Sequence, residues 1–164
     1  MPSEELRQKI LLNKEKKEMA LLPGRLGGLE VMGYVSDDDV PSWVSDSLRE
    51  FRSVVVEPHV RIDGDSGGPR LDEWHLGLLR SAQITERFFC STGMRNFPWV
   101  DCRVSGENWI RSIREGLGGD LYFLSHEKNS LVVIFEEEYE YIGFSRHAPA
   151  SGGAQVVGPG PGSR

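Results

Sequence analysis

The chain is predicted to be α+β: a mostly antiparallel sheet packed by two helices, at about residues 40–52 and 106–117, with a peripheral N-terminal helix. Three observations predict it. Apolar residues recur at helical spacing in two windows, from Val40 and from Trp109. Short β-branched or aromatic runs such as "RFFCS" and "SLVVIF" stand between clusters of Gly, Pro, Asn and Asp. A length of 164 residues with 38% hydrophobic content suffices to close one core.

Residues 3–20 are rich in Glu, Leu, Arg, Gln and Lys and open with Ser3 as N-cap, which predicts a helix. Its apolar stripe runs only from Leu6 to Ile10 before Asn13, Lys14 and Lys17 interrupt it, so residues 1–22 are expected to form a peripheral arm. "LLPGRLGGLEVMGY" then packs Pro23 and four glycines into a hinge that leads to a strand. The next helix follows Asp39 as N-cap, with Pro41 in its first turn and Val40, Trp43, Val44, Leu48 and Phe51 on one face. "SVVVEPHVRI" reads as a strand that Pro58 confines to an edge or a bulge.

"EWHLGLL" alternates Trp74, Leu76 and Leu78 against His75, Gly77 and Leu79 and is read as a half-buried strand; "TERFFCS" and "VDCRV" are read as two more. A helix from Ser105 carries Trp109, Ile110, Ile113 and Leu117 inward and stops at Gly118-Gly119. "DLYFL" and "SLVVIF" form a hairpin around "SHEKN", extended to a meander if the chain turns again near Glu137. Residues 23–147 are thus one α+β domain, and 148–164, rich in Gly, Pro, Ala and Ser, are expected to be a disordered tail.

Composition excludes several function classes. The N-terminus threads charges through its apolar residues and lacks a secretory pattern, and the longest apolar run, Leu131 to Phe135, is too short to span a bilayer; a cytoplasmic protein with no membrane partner is expected. Reduced thiols at Cys90 and Cys102 fit that compartment. Of the net charge of −6, residues 35–48 hold −4 and residues 120–145 hold −5, leaving +3 elsewhere. These segments offer no basic face to phosphates, so no nucleic-acid partner is expected and a basic protein partner is.

One string invites an enzymatic reading. "GDSGGP", Gly64 to Pro69, surrounds the nucleophilic serine in trypsin-like proteases, and the resemblance would make Ser66 catalytic. Only 65 residues precede Ser66, and the one upstream histidine, His59, lies seven residues away on the segment that feeds the turn. The string is therefore read as a glycine-rich turn between two strands. The same turn matches part of a calcium loop, with Asp63, Asp65 and Gly68 at positions 1, 3 and 6, but position 12 is Trp74 where a bidentate Glu is required. Cys and His show no zinc-ligand spacing, and the glycines of "PGRLGGLEVMG" form no phosphate loop. No catalytic residue, metal or cofactor is assigned.

The most informative stretch is "FEEEYEYIGF". Read as a continuous strand, its period of two puts Glu136, Glu138 and Glu140 on one face and Phe135, Glu137, Tyr139 and Tyr141 on the other. Carboxylates give steering and charge-assisted hydrogen bonds, and tyrosines give rigid anchors. Asp37 and Asp38 are a second acidic contribution, unless with Asp39 they simply cap the helix at Val40. Small acidic chains of this kind are similar in class, though not in any motif, to the immunity proteins with which bacteria neutralise toxins. The expected function is a non-enzymatic interaction domain, in its narrowest form an immunity-type inhibitor of a basic partner such as a toxin. The alternative is a small enzyme or ligand-binding domain with a pocket lined by aromatics such as Trp74, Phe88, Trp99 and Trp109, with His75 or Cys90 available for chemistry.

Overall fold

A computed structural model describes residues 3–53 and 55–149. Its elements, in chain order, are α1 (Glu4–Arg25), β1 (Leu29–Val35), α2 (Ser42–Phe51), β2 (Val60–Asp63), α3 (Gly68–Ser81), β3 (Arg87–Ser91), β4 (Trp99–Val104), α4 (Trp109–Gly116), β5 (Leu121–Ser125), β6 (Ser130–Glu136) and β7 (Glu140–His147). The strands form one open seven-stranded sheet in the order β1-β4-β3-β5-β6-β7-β2, antiparallel throughout. The tail expected from residue 148 lies almost wholly outside the described residues; within them, Ala148 N–H still donates to Asn129 C=O at 2.8 Å. Among the described residues no helix is long and apolar enough to cross a membrane.

The expectation of two packed helices and a peripheral N-terminal one is corrected: the chain forms four helices, and the addition is α3. Leu71, His75 and Leu79 are its buried residues, spaced four apart, with Gly67 at its N-cap and Pro69 in its first turn. Within "EWHLGLL" alone the alternation of Trp74, Leu76 and Leu78 imitates a strand, and the helical stripe shows only His75 and Leu79. Adding Leu71 breaks the tie. "GDSGGP" is consequently the start of a helix, and the turn joins β2 to α3 rather than to a strand.

The sheet is covered on both faces. α1, α3 and α4 pack on one, over Phe88, Cys90, Cys102, Phe123, Val132 and Ile134; α2 alone packs on the other, where Val44 and Phe51 meet Phe89, Leu124, Leu131, Val133, Phe135 and Phe144. This explains why β6 reads as an unbroken apolar run: alternate residues enter different cores. The edges are β1 and β2. Of the strand expected across Pro58, only the part after it forms, as the edge strand β2 from Val60, and β1 carries a bulge between Val31 and Gly33.

The N-terminal arm is peripheral only over its first half. Ser3 caps α1 through Leu6 N–H at 3.1 Å, and residues up to Ile10 stand exposed. Further on, Glu15 is buried and receives the N–H groups of Arg95 and Asn96 and the Asn96 side-chain amide, each at 2.8 Å. Burial works against its ionised form, but these donors together hold the carboxyl below its ordinary value. Glu15→Gln keeps the shape and gives up the charge-assisted bonds, so we expect a loss of about 1–2 kcal/mol at pH 7 in urea unfolding, shrinking as the pH falls below the ordinary carboxyl range.

Candidate functional site

The chain turns at Glu137, as the meander reading allowed, and that turn rearranges the predicted acidic face. β6 ends at Glu136 and β7 begins at Glu140, with Glu136 opposite Tyr141. Glu136 and Tyr141 lie on the face of α3 and α4, and Glu140, following the pleat through Ile142 and Phe144, lies on the face of α2. The three carboxylates therefore do not form a row. Glu136 accepts from the Tyr141 hydroxyl at 2.9 Å; Glu140 is paired with Arg61 of β2 at 2.6 Å; Glu138 is exposed in the turn itself. Tyr139, 79% exposed, is the outermost aromatic group there.

Asp37 and Asp38 belong to another part of the molecule. They sit in a single 3₁₀ turn, where Asp37 accepts from the Trp99 indole at 3.2 Å, and the neighbouring Asp39 carbonyl accepts from Lys128 in the β5–β6 turn. That turn is at the start of β6 and the Glu137–Tyr139 turn is at its end, about 20 Å away at the rise of a seven-residue strand. One acidic surface made from both is not what the chain builds.

Two concavities flank the Glu137–Tyr139 turn on opposite faces of the sheet. The larger, about 490 Å³, exists because α2 is only ten residues long and stops short of the β7–β2 edge. Its floor is Phe51, Phe135, Ile142 and Phe144; Phe51 stacks on Phe144 with centroids 4.6 Å apart, and Phe135 meets Phe144 edge-on at 5.7 Å. Its rim carries Glu57, Asp120, Glu137 and Glu140 against Arg52 and Arg61. Arg61 is paired with Glu140 and Glu57, and Arg52 donates to the Tyr122 hydroxyl. Val55, 83% exposed, stands beside Val56 of this rim.

The smaller cavity, about 160 Å³, lies between α3, α4 and the ends of β5, β6 and β7. Asp72 of α3 takes Arg111 Nε on one oxygen at 2.9 Å and Arg114 on the other, which fixes two guanidinium groups three residues apart on α4. Around them stand Glu115, Gly118, Gly119, Glu136 and Tyr141. His75 closes the wall at 1% exposure, its Nδ1 turned back onto the Leu71 carbonyl at 2.7 Å. Burial drives its pKa down to about 4, outweighing that hydrogen bond, and Arg114 adds to the effect, so the ring is neutral at pH 7. With Nδ1–H donating to a carbonyl, Nε2 carries the lone pair. The Tyr141 hydroxyl is raised from its ordinary value by burial and by its bond to Glu136.

The other candidates disperse. Cys90 and Cys102 are free thiols at 0% exposure; burial raises Cys90 well above its ordinary value and pushes Cys102 up to about 12, which removes the thiolate needed for nucleophilic work. Trp74, Phe88 and Trp109 pack around the core of one face and Trp99 in that of the other, so they line no common pocket. His59 is engaged by Ser145 N–H through Nδ1 at 2.9 Å and lies edge-on to Phe144. Asp63 is paired in register with Glu140. No group of three or more His, Cys, Asp and Glu is placed to hold a metal ion among the described residues. Arg111, Arg114 and Asp72 were not singled out for chemistry in the sequence, because their meeting depends on α3 packing against α4. Comparison of the chain with known protein families, with characterised proteins and with solved structures gave no match.

Proposed function

We propose that the protein is an interaction domain whose groove beside α2 receives a basic peptide segment carrying an apolar anchor, presented by a protein partner. The observation that carries this reading is the pairing of an apolar floor with a rim of four carboxylates against two arginines, one of which, Arg61, is already held by Glu140 and Glu57. An apolar side chain of the segment rests on Val56, Pro58 and Ile142 above the buried Phe51, Phe135 and Phe144, and its Lys or Arg neighbours meet Asp120 and Glu137. The floor supplies affinity and the rim supplies steering and orientation. Tyr139 and Glu138, at the adjoining turn, extend the contact outward. An inhibitor that occludes a basic toxin is the narrowest form of the proposal; it rests on the same acidic and aromatic character.

Selection of displayed peptides on the full chain tests it. Enriched sequences are expected to combine Lys or Arg with a nearby Leu, Phe or Trp. Binding of such a peptide, followed by fluorescence anisotropy, is expected to weaken about tenfold in the double variant Glu137→Lys with Glu138→Lys and about fivefold or more in Tyr139→Ala. Enrichment of acidic peptides, no enrichment, or indifference to both variants overturns the proposal.

A further inference from the structure

The cavity under α3 and α4 is a second and separate place where ligand chemistry accumulates, on the face of the sheet opposite the groove. Two properties distinguish it from a packing defect. It is walled by charged and polar groups, where a void left by imperfect packing is apolar. One of these, His75, is almost fully buried, and its Nε2 makes no hydrogen bond among the described residues. Leaving a buried acceptor unpaired costs about 1–3 kcal/mol, and a donor in the cavity restores it.

The wall also states what charge the occupant carries. The lining carries both signs of charge, Arg111 and Arg114 with Glu115 and Glu136, so neither a lone anion nor a lone cation is matched by it. Asp72 consumes only Nε of Arg111, which leaves both terminal amines of that guanidinium unspent among the described residues while holding it in place. The Tyr141 hydroxyl donates to Glu136 at 2.9 Å, which holds that carboxylate at the cavity wall. A volume of about 160 Å³ is close to that of a cavity known to take benzene, a molecule of about six heavy atoms.

We infer that the cavity binds a small zwitterion of the free α-amino-acid class, with its carboxylate on Arg111 and Arg114 and its ammonium on Glu136 and the Nε2 lone pair of His75. The guanidinium pair suits a planar carboxylate, and the ammonium group supplies the missing donor to the imidazole. Gly118 and Gly119, lacking side chains, leave room at that wall for the side chain, which the volume of about 160 Å³ keeps short.

Calorimetric titration of the full chain with glycine, L-alanine and L-serine tests the assignment, with propionate and ethylamine as probes lacking one charge or the other. At least one amino acid is expected to bind saturably, and each half-probe at least tenfold more weakly than it. Glu136→Gln and Arg111→Gln are each expected to weaken the amino acid about tenfold, equivalent to about 1.4 kcal/mol. Glu136 is exposed and Arg111 half-exposed with its Nε on Asp72, so both variants should unfold cooperatively, Glu136→Gln near the parent chain and Arg111→Gln somewhat below it. His75→Leu should lose binding as well; should it not fold, the two surface variants decide. Absence of saturable binding by all three amino acids, propionate binding as tightly as its amino counterpart, or unchanged affinity in both surface variants overturns the inference.

Discussion

Lowering the pH from 7 to 4 is expected to remove about 3 kcal/mol of folding stability through His75 alone. The imidazole has an ordinary pKa of 6.5 and a folded-state value of about 4, and each unit of difference is worth about 1.4 kcal/mol. The direction follows from where the protons go. Between 6.5 and 4 the unfolded chain takes up a proton that the folded chain refuses, so stability rises with pH across that window. The contribution is complete above 6.5 and is lost as the pH falls to about 4.

The surroundings explain why the folded ring refuses it. His75 lies between Trp74 and Tyr141 in edge-to-face contacts at 5.3 and 5.8 Å, and the nearest cation, Arg114, opposes a second positive charge. Asp72 favours protonation, but both its oxygens are already engaged by arginines. Urea unfolding at pH 7, 6, 5 and 4 measures the effect, and His75→Leu isolates it: the variant should lose most of the slope above pH 5. Glu15 also destabilises the fold on acidification, but at lower pH, below the ordinary carboxyl value of 4.5. A wild-type slope no steeper than that of the variant between pH 6.5 and 5 would show that the imidazole titrates freely.

The parts legible in the sequence are those where one local rule decides. The apolar run of β6, the turn at Glu137, the edge strand after Pro58 and the helix that buries Val44 and Phe51 each follow from a single signal. α3 was not legible because the alternation of Trp74, Leu76 and Leu78 imitates a strand, while the buried helical positions are Leu71, His75 and Leu79, one of them polar and one upstream of the apparent strand. The candidate site was legible in composition and not in geometry. The residues of "EEEYEY" do surround both concavities, yet one turn between Glu136 and Glu140 divides them between two faces of the sheet. The cavity itself depends on Asp72 reaching across from α3 to α4, a contact between residues 39 positions apart from Arg111, and no local pattern announces such a pairing.

The same division between local and tertiary signals makes Gly28 the most demanding backbone position. Four glycines, from Gly24 in the last turn of α1 to Gly33 in β1, crowd this part of the chain, and sequence makes them equivalent as hinge residues. The structure does not: a Cβ on Gly24, Gly27 or Gly33 would meet nothing within 4 Å, whereas on Gly28 it would stand 2.6 Å from the Glu107 carbonyl oxygen and 3.1 Å from the Trp109 Cβ. Gly28 also holds φ at +82°, a conformation that a side chain disfavours, and its own carbonyl accepts the N–H groups of Ser105 and Gly106 at 2.8 and 3.0 Å. The loop before α4 is therefore seated on the backbone of this one residue.

A methyl group there cannot be accommodated by turning a side chain, because the opposing atom is main chain. Either φ and the close approach are strained or the loop withdraws and both hydrogen bonds lengthen. We expect Gly28→Ala to cost about 3 kcal/mol, combining the left-handed strain with overpacking. Gly27→Ala, one residue earlier, should cost less than about 1 kcal/mol, since its space is open and its φ ordinary. Because α4 carries Arg111 and Arg114, the damage should extend to the cavity beneath it. Paired denaturation curves for the two variants measure the difference, and equal midpoints would show that the loop before α4 is not held by Gly28.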